Sequence, residues 1–195
     1  MLDKLRGVLA PSLEKLGTTF AKTGISPNTW TAVGLCLSIA AAISYTSSEW
    51  IEGMQAWHAI SLGSVLLLAS GFFDIIDGQV ARVTKNITKT GGFLDSVSDR
   101  IAEVAIFFGM LVGNHANPIV IFLAVTLSLL VSYARSRAES VGVPLRGVGI
   151  GERPERLLVV AIIGMVGFLE YALVAVCVMA GVTFVHRVIV ATKKS

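Results

Sequence analysis

Six long apolar segments dominate this 195-residue sequence and restrict the folds that it can adopt. A helix needs about 20 mostly apolar residues to cross the hydrocarbon core of a bilayer. As a single helix, residues 157–190 would be about 50 Å long, which favours a turn near residues 167–170. We therefore predict an all-α integral membrane protein with six transmembrane helices. They lie at residues 29–46, 56–73, 91–113, 118–137, 154–169 and 171–190.

The positions of the basic residues indicate how these helices are oriented. Cytoplasmic loops of membrane proteins are enriched in lysine and arginine. The 16 basic residues all lie on one side of the predicted helices, whereas the loops near Trp50, His115 and Glu170 contain none. Both termini are therefore expected in the cytoplasm. We predict that the protein crosses the cell membrane several times. The net charge of +3 does not indicate a nucleic acid partner, because no basic run is interleaved with aromatic residues.

The first 25 residues differ from the rest, and residues 26–195 form the predicted six-helix core of a single domain. Leucines and Phe20 recur at helical spacing among lysines and arginines in this stretch. Such a pattern is typical of an amphipathic helix that lies in the membrane interface. A helix that docks a partner protein is the alternative. The residues on the apolar side are Leu2, Leu5, Leu9, Leu13, Leu16 and Phe20, and the basic residues are Lys4, Arg6, Lys15 and Lys22.

Four aspartates near the junction of the second and third apolar segments predict a metal site. On helices, Asp74 and Asp77 share one face, as do Asp95 and Asp99. Carboxylates that converge near a membrane repel one another unless a cation compensates, and oxygen ligands alone favour Mg²⁺ or Mn²⁺. Each aspartate alone could be a helix cap or a solvated charge. Asp99 has no evident local partner, because the adjacent Arg100 is expected to point elsewhere on a helix.

The aspartates belong to a longer motif, which reads DxxDGxxAR, eight residues, then GxxxDxxxD, over residues 74–99. This string resembles the signature of the CDP-alcohol phosphotransferase family at each of its fixed positions. The resemblance implies two Mg²⁺ ions per active site, with Mn²⁺ possible, and a homodimer. Asp74 and Asp95 would bridge both ions, Asp77 would complete one, and Asp99 would complete the other and act as the catalytic base. The residues implied in binding a CDP-lipid are Ser26, Pro27, Asn28, Thr29, Gly78, Arg82 and Thr88.

A second, arginine-rich set of residues bears on the acceptor alcohol. Guanidinium groups match the oxygens of a phosphate monoester, although the positive-inside bias alone also places arginines at helix ends. Residues 132–139 and 152–156 resemble segments of phosphatidylinositol phosphate synthases and their archaeal counterparts, with Arg135 where those relatives often have lysine. The resemblance implies that an inositol phosphate is bound by Ser132, Arg135, Arg153, Arg156 and Arg187, whereas Arg137 and Glu139 would be structural.

Three functions remain open from the sequence. The first is transfer of the phospholipid moiety of CDP-diacylglycerol or CDP-archaeol to 1D-myo-inositol 3-phosphate, with release of CMP. The second is the same chemistry with glycerol 3-phosphate, because both acceptors carry a phosphate. The third is a divalent-metal-binding transporter or scaffold without catalysis, against which the presence of Asp99 argues.

Overall fold

The computed structural model describes residues 2–145 and 147–194, and the side chains of residues 10–145 and 147–193. Within these residues the chain forms seven α-helices, one short 3-10 helix at Ser47–Glu49 and no strand, which confirms the all-α prediction. The α-helices are α1 (Leu2–Ala21), α2 (Pro27–Thr46), α3 (Ala56–Val83), α4 (Lys89–Val112), α5 (Pro118–Ser140), α6 (Arg153–Met165) and α7 (Leu169–Lys194).

Four of the described helices are long and apolar enough to cross a membrane: α2, α3, α5 and α7. The other two helices of the predicted six-helix core fall short for different reasons. α4 has 24 residues but contains Asp95, Asp99, Arg100 and Glu103. α6 has only 13 residues and is about 20 Å long, less than the ~30 Å core of a bilayer. The six-span count and the cytoplasmic termini therefore stay predictions.

The last two helices meet at a turn, as the length argument predicts. α6 ends at Met165 rather than at residue 169, and α7 begins at Leu169. Gly167, between them, has a φ of 86°, in the left-handed region that glycine adopts without steric cost. The chain therefore reverses within three residues.

Local capping explains where the helices around the site begin. The Ser26 hydroxyl accepts a hydrogen bond from the Thr29 amide at the start of α2. The Thr88 hydroxyl accepts one from the Gly91 amide at the start of α4. The Glu155 carboxylate accepts one from the Glu152 amide at the start of α6. Each contact pairs an amide that would otherwise lack a partner in the first helical turn.

The centre of the helical bundle is closely packed through small residues. α2 packs against both α3 and α4, and a Cβ atom on Gly109 of α4 would collide with the backbone of Ala42 on α2. Between α2 and α3, the hydroxyls of Ser38 and Ser70 lie 2.6 Å apart, and Ser70 donates to the carbonyl oxygen of Gly34 at 2.9 Å. Small residues let helix backbones approach, and their hydroxyls add polar contacts where water is absent.

α3 is much longer than predicted from the sequence. Its 28 residues extend to Val83, ten residues beyond the predicted end at residue 73, and span about 42 Å. This length exceeds the ~30 Å hydrocarbon core, so that the last turns of α3 extend beyond it when the apolar part is embedded. Those turns contain Asp74 and Asp77, so that these two aspartates lie on a helix, as their spacing predicts.

α1 lies against α3 and is joined to the core by aromatic rings. The ring of Phe20 meets Trp30 edge to face with the centroids 5.2 Å apart, and Trp30 stacks on Phe73 at 5.5 Å. A helix therefore exists over most of the predicted residues 1–25, but its place in the membrane interface stays a prediction. The side chains of Leu2, Lys4, Leu5, Arg6 and Leu9 lie outside the described residues, as do those of Arg146 and Lys194.

Candidate active site

Three of the four aspartates meet where α3 and α4 face each other. One carboxylate oxygen from each of Asp74, Asp95 and Asp99 lies within 4.8 Å of the other two, and all three side chains are partly buried. This donor set consists of carboxylate oxygens only. Its chemistry fits a hard divalent cation such as Mg²⁺ or Mn²⁺, which prefers oxygen ligands.

The fourth aspartate lies deeper and has a different partner. Asp77 is 6% exposed, and its Oδ2 accepts a hydrogen bond of 2.6 Å from the hydroxyl of Thr31 on α2. It does not belong to the group of three oxygens that lie within 4.8 Å of one another. Thr31 was not among the residues predicted from the sequence. Its only signal there is a hydroxyl in a mainly apolar segment, which is common in membrane helices.

Arg153 lies directly on the aspartates. Its Nη1 atom is 2.6 Å from Asp99 Oδ1 and 3.4 Å from Asp74 Oδ1, and its side chain is 12% exposed. A guanidinium group at this distance offsets part of the repulsion between the carboxylates. The structure thus brings a predicted acceptor residue from α6 into contact with the predicted metal ligands.

The side chain of Arg100 does not point away from Asp99, contrary to the prediction from the sequence. Although it is adjacent to Asp99 on α4, its Nη1 atom lies 3.2 Å from Asp99 Oδ2 and also donates to the carbonyl oxygen of Ser96 at 2.9 Å. The expectation was wrong because the long arginine side chain bends back along its own helix. Asp99 is therefore flanked by two guanidinium groups.

A small polar cavity of about 10 Å³ lies beneath the aspartates. Such a space accommodates roughly one water molecule, and polar walls favour a water there. Residues of four helices, α2, α3, α4 and α6, line this cavity. The lining includes Thr31, Ser38, Ser70, Asp74, Asp77, Ser98, Asp99 and Arg153.

The residues predicted to bind the CDP moiety gather at the ends of α2, α3 and α4. Asn28 and Thr88 both lie close to Gly91, where an added Cβ atom would be 3.2 Å from the Asn28 Oδ1 and 2.9 Å from the Thr88 hydroxyl. On α3, a Cβ atom on Gly78 would lie 3.6 Å from the Arg82 guanidinium. Ser26, Pro27 and Thr29 form the first turn of α2. Their nucleotide-binding roles stay predictions.

The remaining acceptor residues divide by exposure. Arg135 on α5 is partly exposed, with 38% of its side chain accessible to solvent. Among the described contacts it pairs only with Glu139 on its own helix, at 2.9 Å. Ser132, one turn before, donates to the carbonyl oxygen of Ser128 at 3.3 Å. Of the predicted acceptor arginines, Arg135 is thus the one whose guanidinium is most open to solvent.

Arg156 and Arg187 are buried, and their guanidinium groups already contact other groups of the protein. Arg156 is 1% exposed, and its Nη2 atom lies 2.9 Å from Glu103 Oε1. Arg187 is 2% exposed and donates to the carbonyl oxygens of Val131 at 2.8 Å and Val148 at 2.9 Å. Burial and these contacts favour a structural role for Arg156, and the phosphate contacts predicted for both arginines stay predictions.

Comparison with known proteins gives three kinds of match. The family model described as CDP-alcohol phosphatidyltransferase matches residues 24–191. An archaetidylinositol phosphate synthase of Pyrococcus horikoshii is 34% identical over 194 residues, which cover 100% of this chain and 98% of the relative. A phosphatidylinositol phosphate synthase of Streptomyces avermitilis is 29% identical over 100% of this chain and 84% of its own.

Solved structures of one relative share the fold. The phosphatidylinositol phosphate synthase of Mycobacterium tuberculosis with CDP-DAG bound superposes with a TM-score of 0.77, at 25% identity over 92% of each chain. The same protein in complex with manganese and citrate also gives a TM-score of 0.77, at 25% identity over 92% of this chain and 88% of that one. The range matched by the family model, residues 24–191, includes the four aspartates and the predicted acceptor arginines.

Proposed function

The chain belongs to the CDP-alcohol phosphatidyltransferase family, and we propose that it transfers the phospholipid moiety of a CDP-lipid to 1D-myo-inositol 3-phosphate, with release of CMP. The observation that carries the proposal is the contact of 2.6 Å between Arg153 and Asp99. It joins a side chain suited to an acceptor phosphate to the carboxylate proposed as the base. The names of the Pyrococcus and Streptomyces relatives support an inositol phosphate as the acceptor.

We propose that Asp74, Asp77, Asp95 and Asp99 hold two Mg²⁺ ions, for which Mn²⁺ can substitute. The three carboxylate oxygens that lie within 4.8 Å of one another support this assignment, and the relative crystallised with manganese is consistent with it. Bound ions would neutralise the pyrophosphate of the CDP-lipid and the charge that develops on the CMP leaving group. Thr31 orients the Asp77 carboxylate through its hydrogen bond, so that only part of that carboxylate is free to bind an ion.

Asp99 is the proposed general base. Its carboxylate takes the proton from an acceptor hydroxyl, and the hydroxyl oxygen then attacks the β-phosphorus of the CDP-lipid while the bond to CMP breaks. A base must lie within hydrogen-bond reach of the proton that it abstracts. Arg153, beside Asp99, would bind the acceptor phosphate and so keep the acceptor within that reach.

Two further sets of residues complete the proposed site. The CDP moiety is assigned to Ser26, Pro27, Asn28, Thr29, Gly78, Arg82 and Thr88. The first four and Thr88 lie where α2 and α4 begin, and helix N-termini favour phosphate, whereas Gly78 and Arg82 lie near the end of α3. The acceptor phosphate is assigned first to Arg153 and to the partly exposed Arg135, with Ser132 next to it. Arg187 can join them through its Nη2 atom, which lies 3.6 Å from Glu152 Oε1, because only its Nε and Nη1 atoms donate to backbone carbonyl oxygens.

An acceptor panel tests this function directly. Purified protein in lipid nanodiscs receives a CDP-lipid and Mg²⁺, and CMP release is measured with inositol 3-phosphate, glycerol 3-phosphate and unphosphorylated inositol, with a chelator as the control. We expect the highest kcat/KM with inositol 3-phosphate and no release with the chelator. Greater activity with glycerol 3-phosphate would refute the inositol assignment, and divalent binding without any turnover would refute the enzymatic one. Parallel reactions with CDP-diacylglycerol and CDP-archaeol identify the lipid donor.

We also propose that the protein is a homodimer that crosses the cell membrane six times, with both termini and the active site on the cytoplasmic side. The short α6 and the charged α4 would then complete the bundle alongside the four apolar helices. The extension of α3 beyond the length of an apolar core supports an active site at the membrane boundary. Labelling of single cysteines introduced near Lys85 and near His115 tests the topology, because only the latter should react from outside intact cells.

A further inference from the structure

Two acid–arginine pairs connect α4 to α6 at successive helical turns. Asp99 pairs with Arg153 at 2.6 Å, and Glu103 pairs with Arg156 at 2.9 Å. The two acids are four residues apart on α4 and the two arginines are three residues apart on α6, so each set lies on one face of its helix. We call Asp99–Arg153 the outer pair and Glu103–Arg156 the inner pair.

The inner pair ties several parts of the bundle together. Arg156 Nη1 donates to the carbonyl oxygen of Gly151 at 2.9 Å, just before α6 begins, and Nη2 lies 3.5 Å from the carbonyl oxygen of Ser128 on α5. The Gly151 amide in turn donates to the hydroxyl of Thr183 on α7 at 3.0 Å. One guanidinium group therefore joins α4, α5 and the segment that leads into α6.

The inner pair is not an efficient source of stability. Glu103 and Arg156 are 0% and 1% exposed, so both charges lose their hydration. Glu103 Oε2 and Arg156 Nε have no hydrogen-bond partner among the described residues. Replacing such a pair by apolar side chains is often neutral or stabilising. A role in fixing geometry explains these charges better than a contribution to stability does.

The packing of the helices is compatible with a role of the inner pair in fixing geometry. α4 packs mainly against α2, whereas α6 packs mainly against α3 and α7. The direct connection between α6 and α4 is therefore made by side chains, whereas packing links the two helices mainly through α2 and α3. A displacement of about 1 Å at a reacting centre can lower a rate by about 100-fold.

We propose that Glu103 and Arg156 are positioning residues: the inner pair holds α6 against α4 so that Arg153 stays beside Asp99. This inference rests on the proposed function, because it assigns the acceptor phosphate to Arg153 and the proton to Asp99. It differs from the phosphate contact predicted for Arg156 from the sequence. In this role Arg156 acts on the acceptor through Arg153 and does not touch it.

The kinetic test removes both charges at once. The double variant Glu103→Met/Arg156→Met keeps side chains of comparable length and leaves no unpaired buried charge, so we expect it to fold. We expect the KM for inositol 3-phosphate to rise about tenfold while the KM for the CDP-lipid stays within about twofold of wild type. In an Arg153→Ala background, the same two substitutions should change the acceptor KM by less than about twofold, because the residue through which they act is gone.

Two kinetic results would overturn the proposal. If the double substitution raises the acceptor KM by the same factor with and without Arg153, then Arg156 contacts the phosphate itself. If the double variant has wild-type kinetics, the inner pair contributes nothing to the geometry of the site. The matched control is Arg137→Met, because Arg137 is exposed on α5 and its guanidinium donates to Ser140 Oγ on the same helix.

A distance measurement tests the proposal without any activity. Spin labels are attached at Phe108 on α4 and Ile162 on α6, which are 62% and 56% exposed, in a chain whose Cys36 and Cys177 are replaced by alanine. The labelled chain is diluted with an excess of unlabelled chain, so that only distances within one subunit are measured. We expect one narrow distance distribution in this background and in Arg137→Met, and a shifted or broader one in the double variant. An unchanged distribution would overturn the positioning role. If the wild-type chain released no CMP with any acceptor, the proposed function would fail while this distance result stood.

Discussion

The outer and inner pairs between α4 and α6 have the same chemistry but differ in their access to solvent. In the outer pair, Arg153 and Asp99 are 12% and 19% exposed at the mouth of the site. In the inner pair, Arg156 and Glu103 are 1% and 0% exposed. A pair that solvent and ligands can approach is able to exchange partners, whereas a sealed pair keeps the partner with which it folded. The outer pair is therefore suited to contact with substrates, whereas the inner pair, one helical turn away, is suited to holding the helices in place.

The largest effect expected from a change in the outer pair is a lower rate of CMP release. Asp99→Asn keeps the shape of the side chain but removes the proposed base and one metal ligand. We expect CMP release to fall ~1,000-fold, since general-base catalysis contributes about 10² to 10⁴. CMP release at saturating substrate and Mg²⁺ measures the effect, with the melting temperature as a control for folding. A wild-type rate would show that Asp99 is not the base.

The largest effect expected from the inner pair is on stability. Arg156→Met leaves the Glu103 carboxylate buried without its partner, and we expect a loss of about 3 kcal/mol or more in the free energy of unfolding. Arg153→Met should cost less, because the outer pair is partly exposed and water can hydrate Asp99. Thermal unfolding of both variants in one detergent measures the difference. Equal losses of unfolding free energy in the two variants would show that the inner pair is not more important for stability than the outer pair.

A smaller effect separates acceptor binding from donor binding at the outer pair. Arg153→Ala should raise the KM for inositol 3-phosphate by about 10- to 100-fold, because a charge-assisted hydrogen bond contributes about 1.5 to 3 kcal/mol. The KM for the CDP-lipid should stay within about twofold. Initial rates with each substrate varied in turn measure both constants, and Arg153→Lys should retain part of the affinity. A parallel rise in both constants would place Arg153 in a general structural role.

The smallest expected effect concerns Asp77, which belongs to neither pair. Thr31→Val keeps the shape of the side chain but removes the hydroxyl that donates to Asp77 at 2.6 Å. We expect the divalent ion concentration needed for half-maximal activity to rise about tenfold, as is usual when a residue that orients a metal ligand is lost. Thr46→Val at the far end of α2 is the matched control. An unchanged metal requirement would show that Asp77 needs no orientation by Thr31.

Much of the fold was predictable because helices are encoded by local pattern. The apolar segments correspond to α2–α7, and the family resemblance from the motif at residues 74–99 is confirmed by the match over residues 24–191. Helix ends were less predictable. α3 continues ten residues past the apolar segment, because hydropathy marks where a bilayer ends and not where hydrogen bonding along the helix ends.

The sequence by itself determined the chemistry of the candidate site: four carboxylates at helical spacing, an arginine-rich set and the apolar helices that hold them. Only the tertiary structure decided which arginine meets which carboxylate. Arg153 and Arg156 are three residues apart and looked equivalent in the sequence, yet one lies at the mouth and the other is buried. The physical reason is that the deciding contacts join distant segments, since Arg156 and Glu103 are 53 residues apart in the chain and Thr31 and Asp77 are 46 apart.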